Sequence, residues 1–183
     1  MLLATDLDGT FLGGSPEARQ RLYQLVSRHP DIRLAFVTGR GLESVLPLLS
    51  DPAIPTPDYI ICDVGATVVD GHTLQPIQPL QSQIGEHWPG DSVIAEALQS
   101  FGLQRQDVPQ ERRYSYYCGE AEVSDELKQA IEKIGCDLLY SAGLYLDIMP
   151  RGVNKGATMK RLVEHLSIDP ERVLLSCQSR NDV

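Results

Sequence analysis

The chain has 183 residues, 42% of them hydrophobic and 22% charged, a globular balance that supports one domain, or one domain carrying a modest insertion. Sixteen basic residues against 25 acidic ones leave a net charge of −9, which repels phosphate backbones and anionic lipids and argues against nucleic acid or membrane surfaces as partners. No apolar run approaches the roughly 18 residues of a membrane span, Asp6 comes too early for a signal peptide, and Cys62, Cys118, Cys136 and Cys177 form no Cys-x-x-Cys pair, so the expectation is a soluble cytoplasmic protein with reduced thiols.

Residues 1–5 are a short apolar run that predicts a buried strand ending at Asp6. Gly9, Gly13 and Gly14 make the next stretch a loop. Ser15-Pro16-Glu17 then supplies an N-cap with proline at the first helical position. Leu22, Leu25 and Val26 recur at helical spacing, and the helix must stop before Pro30. Residues 32–37 predict a second strand, ended by Thr38-Gly39-Arg40. A further helix carries Val45, Leu46, Leu48 and Leu49, with Pro47 kinking it or sitting in its first turn. Residues 59–62 predict a third strand, ending at Asp63 and Gly65. Such alternation of strand and helix implies a parallel sheet covered by helices, with ligands at its carboxyl edge.

The pattern then changes. Residues 67–78 read as a β excursion, and 92–101 as a helix with Val93, Ile94, Ala97 and Leu98 inward. Residues 113–118 alternate as a strand. Residues 124–134 form a capped amphipathic helix with Gly135 past its end, and strands follow at 137–140 and 144–149. After Pro150 the first pattern returns, with a helix over 155–166 and a strand over 172–176 that reads as buried. The expected organisation is a core of residues 1–79 and 152–183 interrupted by an α+β insertion over 80–151.

The chemistry-bearing residues fall at strand ends. Asp6-Leu7-Asp8-Gly9-Thr10 places two carboxylates at alternate positions just past a strand, where both can face one pocket. One aspartate can attack phosphorus, and a second can protonate the leaving oxygen and later activate water. A hard divalent cation such as Mg²⁺ relieves the repulsion between them. Thr38-Gly39 offers a hydroxyl and a backbone N–H to phosphate oxygens. Lys155 opens a helix, adding a cation to an anion-friendly terminus. Ser179-Arg180-Asn181-Asp182 follows the fourth strand.

In order and placement these four clusters resemble the motifs of the haloacid dehalogenase superfamily of phosphatases, and the inserted α+β segment resembles the cap of the subfamily that holds sugar phosphatases. Pro57-Asp58-Tyr59, Asp63-Val64-Gly65-Ala66-Thr67, Trp88, Tyr114-Ser115-Tyr116 and Tyr145–Pro150 leading to Asn154-Lys155-Gly156 resemble bacterial sucrose-phosphate phosphatases. The resemblance implies a Rossmann-like α/β core, a Mg²⁺-dependent phosphatase acting on a sugar phosphate such as sucrose 6-phosphate, and a sucrose-phosphate synthase as a partner. It implies Asp6 as nucleophile and Asp8 as general acid/base. Thr38, Gly39, Arg40, Lys155 and Asn181 would hold the phosphoryl group. Asp6, Asp8 through its carbonyl, Gln178 and Asp182 would hold the metal. Tyr114, Tyr116, Tyr145 and Trp88 are open to two roles, core packing or stacking on a sugar ring.

The last motif departs from the family pattern. Gln178 stands where an acidic Mg²⁺ ligand is expected, and Arg180 replaces a glycine. A neutral amide is a poorer ligand for a hard cation. Family members also continue past this motif, so apolar surface or an unpaired strand edge is expected beside the fourth strand. These departures keep two other readings open, a weakened sugar-phosphate-binding protein and a phosphomutase.

Overall fold

The structure is a computed structural model and describes residues 1–109 and 111–177. Leu2, Leu3 and Ala4 show why the first segment becomes a central strand. β1 (Leu2–Thr5) points Leu2 and Ala4 to one side and Leu3 to the other, and all three are buried. A strand covered on both faces is what a near-continuous apolar run encodes. α1 (Pro16–Arg28) follows, its N-terminus capped by the Ser15 hydroxyl, which accepts from the Ala18 N–H at 3.2 Å. β2 (Arg33–Val37), α2 (Leu42–Leu49) and β3 (Tyr59–Cys62) complete the first half. Pro47 lies past the first turn of α2, and the helix ends two residues after it. β4 (Thr67–Asp70) turns back antiparallel on β3.

α3 (Leu80–Gly85), which has no counterpart in the sequence reading, packs Leu80 and Ile84 into the same cluster as Leu2 and Val68. α4 (Asp91–Leu98) buries Ile94 and Leu98 but leaves Val93 exposed, so its inward stripe is narrower than predicted. Then come β5 (Gln104–Arg105), β6 (Tyr114–Tyr117), α5 (Asp125–Lys133), β7 (Cys136–Ser141) and β8 (Tyr145–Pro150). α6 (Lys155–His165) and β9 (Val173–Ser176) close the described chain.

Two sheets result. The larger runs in the order β4-β3-β2-β1-β9, with β3, β2, β1 and β9 parallel. α1 and α2 cover one face through Val26 and Val45, packed with Phe36 and Phe11, whose rings lie 5.1 Å apart. α6 and α3 cover the other through Met159, Leu162 and Ile84. Each fully buried side chain of this size contributes roughly 1.5–3 kcal/mol, so the two faces carry most of the fold's apolar stabilisation. At β9 the expectation of a buried strand fails, and that of an unpaired edge with apolar surface beside it is met. Among the described residues β9 pairs only with β1 and sits at the sheet edge, leaving Leu174 and Leu175 about half exposed and Cys177 exposed.

The smaller sheet, β5-β6-β8-β7, is antiparallel. One face, carrying Tyr114, Tyr116, Leu146 and Ile148, packs on Ile94, Leu127 and Ile131 of α4 and α5. Strand alternation puts Ser115, Tyr117, Tyr145 and Asp147 on the opposite face.

The turn after β3 joins these layers at the site. Asp63 and Val64 have φ of 51° and 57°, a left-handed conformation that is costly for a β-branched residue. Gly65 follows at φ 108°, seated against the backbone of Asn154, and its carbonyl accepts from the Thr158 hydroxyl at 2.7 Å. A Cβ on residue 65 would run into that backbone. Gly65→Ala is therefore expected to lower stability by about 1–3 kcal/mol from backbone strain, read as a lower urea midpoint. An unchanged midpoint would mean that the turn does not bear on α6.

Candidate active site

Parallel packing of β1 and β2 brings the two main motifs side by side. Asp6 leaves β1 with its N–H donating to the Ser176 carbonyl at 2.9 Å, and its own carbonyl accepts from Phe11 at 3.1 Å. Leu7–Phe11 is a tight turn broken at Asp8 (ψ 125°) and Gly9 (φ 71°), so Leu7 is buried while Asp8 stays at the surface. The Lys155 ammonium, at the first position of α6, lies 3.6 Å from the Asp6 carboxylate. Both side chains are nearly nine-tenths buried. The Asn154 side chain caps this helix by accepting from the Ala157 N–H at 2.8 Å, and the helix N-terminus adds its own positive end to that of Lys155.

Arg40 is the site's second cation. Its guanidinium grips the Asp8 carboxylate with two hydrogen bonds, Nε to Oδ2 at 2.9 Å and Nη2 to Oδ1 at 2.5 Å. That fork holds the Asp8 carboxyl below its ordinary range, against the opposing effect of partial burial. Thr38 is buried, and its hydroxyl oxygen accepts from the Arg40 N–H at 3.1 Å, which leaves the hydroxyl proton as a donor. The Thr10 hydroxyl is buried with no hydrogen-bond partner among the described residues. Thr10 lies on the same Leu7–Phe11 turn as Asp8, and a buried hydroxyl without a partner there is available to a ligand oxygen.

The structure thus gathers Asp6, Asp8, Thr38, Gly39, Arg40 and Lys155 at the carboxyl edge of one sheet. Gln178, Arg180, Asn181 and Asp182 lie outside the described residues. For Mg²⁺, the Asp6 carboxylate and the Asp8 carbonyl are hard oxygen donors. That ion takes one or two carboxylates together with waters and substrate phosphate oxygens, so the donor set fits it. Among the described residues no three His, Cys, Asp or Glu form an all-protein metal cage.

A cleft of about 450 Å³ opens from Asp6 and Lys155 along α6 and β9, but Val37, Met159, Val163 and Leu175 line it. Its apolar walls do not suit a phosphate.

Two features were missed in the sequence. Arg113 reaches in from the residue before β6 and donates from Nη1 to the Gly39 carbonyl at 2.7 Å. It meets Asp63 at 3.5 Å and Asp147 at 4.0 Å, with all three side chains buried. Burial pushes the Asp63 carboxyl up, and the Arg113 charge only partly offsets this. Tyr117, paired with Tyr145 across β6 and β8, is the second. Their rings lie 6.1 Å apart and both are 40% exposed, on the face that carries Asp147. Tyr114 and Tyr116, by contrast, are buried in the α4–α5 core, and Trp88 packs at its margin.

A paired-carboxylate turn after the first strand, a hydroxyl turn after the second and a lysine opening the returning helix define a haloacid dehalogenase-like fold and site. The chain belongs to the sucrose-6F-phosphate phosphohydrolase family, whose model matches residues 1–183. It is 58% identical, over its full length, to a region of a glucosylglycerol-phosphate synthase from Pseudomonas anguilliseptica. The chain spans 24% of the length of that relative. It is 28% identical to a mannosylfructose-phosphate phosphatase from Agrobacterium fabrum, over 99% of this chain and 76% of the relative. Among solved structures, the sucrose-phosphatase of Synechocystis in complex with sucrose and phosphate superposes with a TM-score of 0.84 at 26% identity, covering all of this chain and 77% of that one. No helix among the described residues is long and apolar enough to cross a membrane.

Proposed function

We propose that this chain hydrolyses the phosphate monoester of a glycoside through a phosphoryl-aspartate at Asp6. The observation that carries this reading is the Lys155–Asp6 pair at the end of β1. It puts a buried carboxylate and a cation together where a helix N-terminus also favours an anion. Phosphoryl transfer needs positioning and charge stabilisation above all. Lys155 and the Thr38 hydroxyl neutralise and orient the phosphoryl oxygens. Asp6 attacks; Asp8, once it leaves the Arg40 fork and takes up a proton, gives that proton to the leaving oxygen and then takes one from water. Asp6 and the Asp8 carbonyl would hold Mg²⁺, whose chemistry here is neutralisation of phosphoryl charge. Asn181, Asp182 and Gln178 belong to the same assignment by motif alone.

The insertion acts as a cap in this reading, and it starts after α3 rather than at residue 80, because Leu80 and Ile84 pack in the core. Its Tyr117–Tyr145 face also carries Asp147, which meets Arg113 at the Gly39 turn, and it offers two rings on which a sugar can stack. Sucrose 6-phosphate is one substrate. Glucosylglycerol phosphate is the second, favoured by 58% identity to a protein named for making it. The same relative favours a glycosyl-phosphate synthase as the working partner, since the matching region there is part of a synthase chain.

The test is Mg²⁺-dependent phosphate release from sucrose 6-phosphate, glucosylglycerol phosphate and mannosylfructose phosphate, with Asp6→Asn as blank. Release above the blank from one or more of them supports the reading, and the ranking names the sugar. An isomeric phosphate with little free phosphate would make it a mutase, and binding without release a sugar-phosphate-binding protein.

A further inference from the structure

We infer that Arg113 is a positioning residue for the phosphoryl-binding turn, and that it makes the geometry of that turn depend on docking of the smaller sheet. The inference rests on the phosphatase reading of the site and adds to it a residue outside the four motifs.

One peptide group is central. The Gly39–Arg40 peptide has its carbonyl held by Arg113 at 2.7 Å and its N–H held by the Thr38 hydroxyl oxygen at 3.1 Å. Because that oxygen accepts from the peptide, its proton is directed elsewhere. Fixing the peptide plane therefore fixes the direction in which Thr38 donates. On its far side the same turn is tied to the β3 turn, where the Asp63 N–H donates to the Arg40 carbonyl at 2.8 Å. The Asp63 side chain closes the loop by facing Arg113. A guanidinium supplied by the smaller sheet thus completes a ring of contacts around Thr38, Gly39 and Arg40.

Hydroxyls fix both carboxylates that face this guanidinium, while Arg113 Nε and Asp63 Oδ1 have no hydrogen-bond partner among the described residues. Asp63 Oδ2 accepts from the Thr67 hydroxyl at 2.9 Å, and Asp147 accepts from the Ser115 hydroxyl. Gly41 lies where a Cβ would sit 3.3 Å from the Asp63 carboxylate, so the turn can approach closely. Burying three charges is an expensive way to glue two sheets together, since a well-packed apolar cluster does it as well or better. What an apolar side chain cannot supply is the donor to the Gly39 carbonyl.

The decisive variants are Arg113→Met combined with Asp63→Asn, which removes the charge without stranding Asp63 and leaves Asp147 its hydrogen bond from the Ser115 hydroxyl, and Arg113→Lys, which keeps a donor on a shorter reach. A misplacement of about 1 Å costs on the order of 100-fold in rate. For the double variant, kcat is therefore expected to fall about 100-fold. The fall should be alike for the sugar phosphate and for p-nitrophenyl phosphate, because both present the same phosphoryl group to Thr38. Arg113→Lys should recover a substantial part. A higher KM for the sugar phosphate with p-nitrophenyl phosphate turnover unchanged would overturn the inference and make Arg113 a sugar contact. Unchanged turnover of both would make it a structural ion pair.

Hydrogen exchange separates this inference from the phosphatase reading. In the double variant, amides of residues 38–41 should exchange faster while those of α4 and α5 do not. That result would uphold the positioning role even if the wild-type chain hydrolysed no ester. Faster exchange confined to the smaller sheet would refute it.

Discussion

Asp6→Asn is expected to abolish phosphate release, with a loss on the order of 10⁴–10⁶-fold, the scale set by removing a nucleophile from a preorganised site. Folding should survive, because the backbone of Asp6 is held by Ser176 and Phe11 whatever its side chain. Binding of the sugar phosphate should survive as well, and should tighten. The Asp6 carboxylate lies 3.6 Å from Lys155 and competes with the substrate for that ammonium, so a neutral amide gives the cation wholly to the phosphate. Calorimetric titration with the sugar phosphate, alongside turnover, reads both effects. An Asp6→Asn protein that still turns over would place the nucleophile elsewhere and remove the basis of the proposed reaction.

Much of this arrangement is legible in the sequence because it depends on short-range signals. Apolar runs at 1–5, 32–37 and 59–62 end in Asp6, Thr38 and Asp63, and a parallel sheet must place such ends along one edge. The Ser15 and Asn154 caps likewise announce the starts of α1 and α6. What escaped depends on tertiary context. α3 carries no marked helical signal between the segments read at 67–78 and 92–101, and its Gln81 is buried. Its amide takes the Val68 N–H at 2.7 Å and donates to the Ala66 carbonyl at 2.9 Å, standing in for a neighbouring strand. Tyr117 differs from Tyr114 and Tyr116 only in parity along β6, and parity acquires meaning once α4 and α5 cover one face. Arg113 reads only as the first residue of the strand predicted over 113–118. Its partner Gly39 is 74 residues away in sequence, and nothing local marks the contact. Leu174 and Leu175 read as core because they are apolar, yet among the described residues β9 is at the edge and leaves them half exposed, as the expected unpaired edge requires.

The geometry around Asp8 yields the second large effect. Its carboxylate is exposed on the Leu7–Phe11 turn and oriented by the two-pronged Arg40 contact, so it can swing or be presented to a leaving oxygen without moving β1. General acid–base catalysis contributes about 10²–10⁴-fold, and its size depends on how badly the leaving group needs a proton. Asp8→Asn is therefore expected to cost about 10³-fold on a sugar phosphate, whose leaving group is an alkoxide. With p-nitrophenyl phosphate the leaving group departs as a stable anion, so transfer to Asp6 should persist while water attack, which needs the base, stays slow. The signature is a burst of nitrophenolate close to one equivalent per chain, followed by slow turnover as the phosphoryl-aspartate accumulates. Rapid-quench kinetics with the Asp8→Asn protein reads the burst directly. Equal losses on both esters with no burst would mean that Asp8 serves the site through its contact with Arg40 and the phosphoryl group, and that the transferred proton comes from another donor.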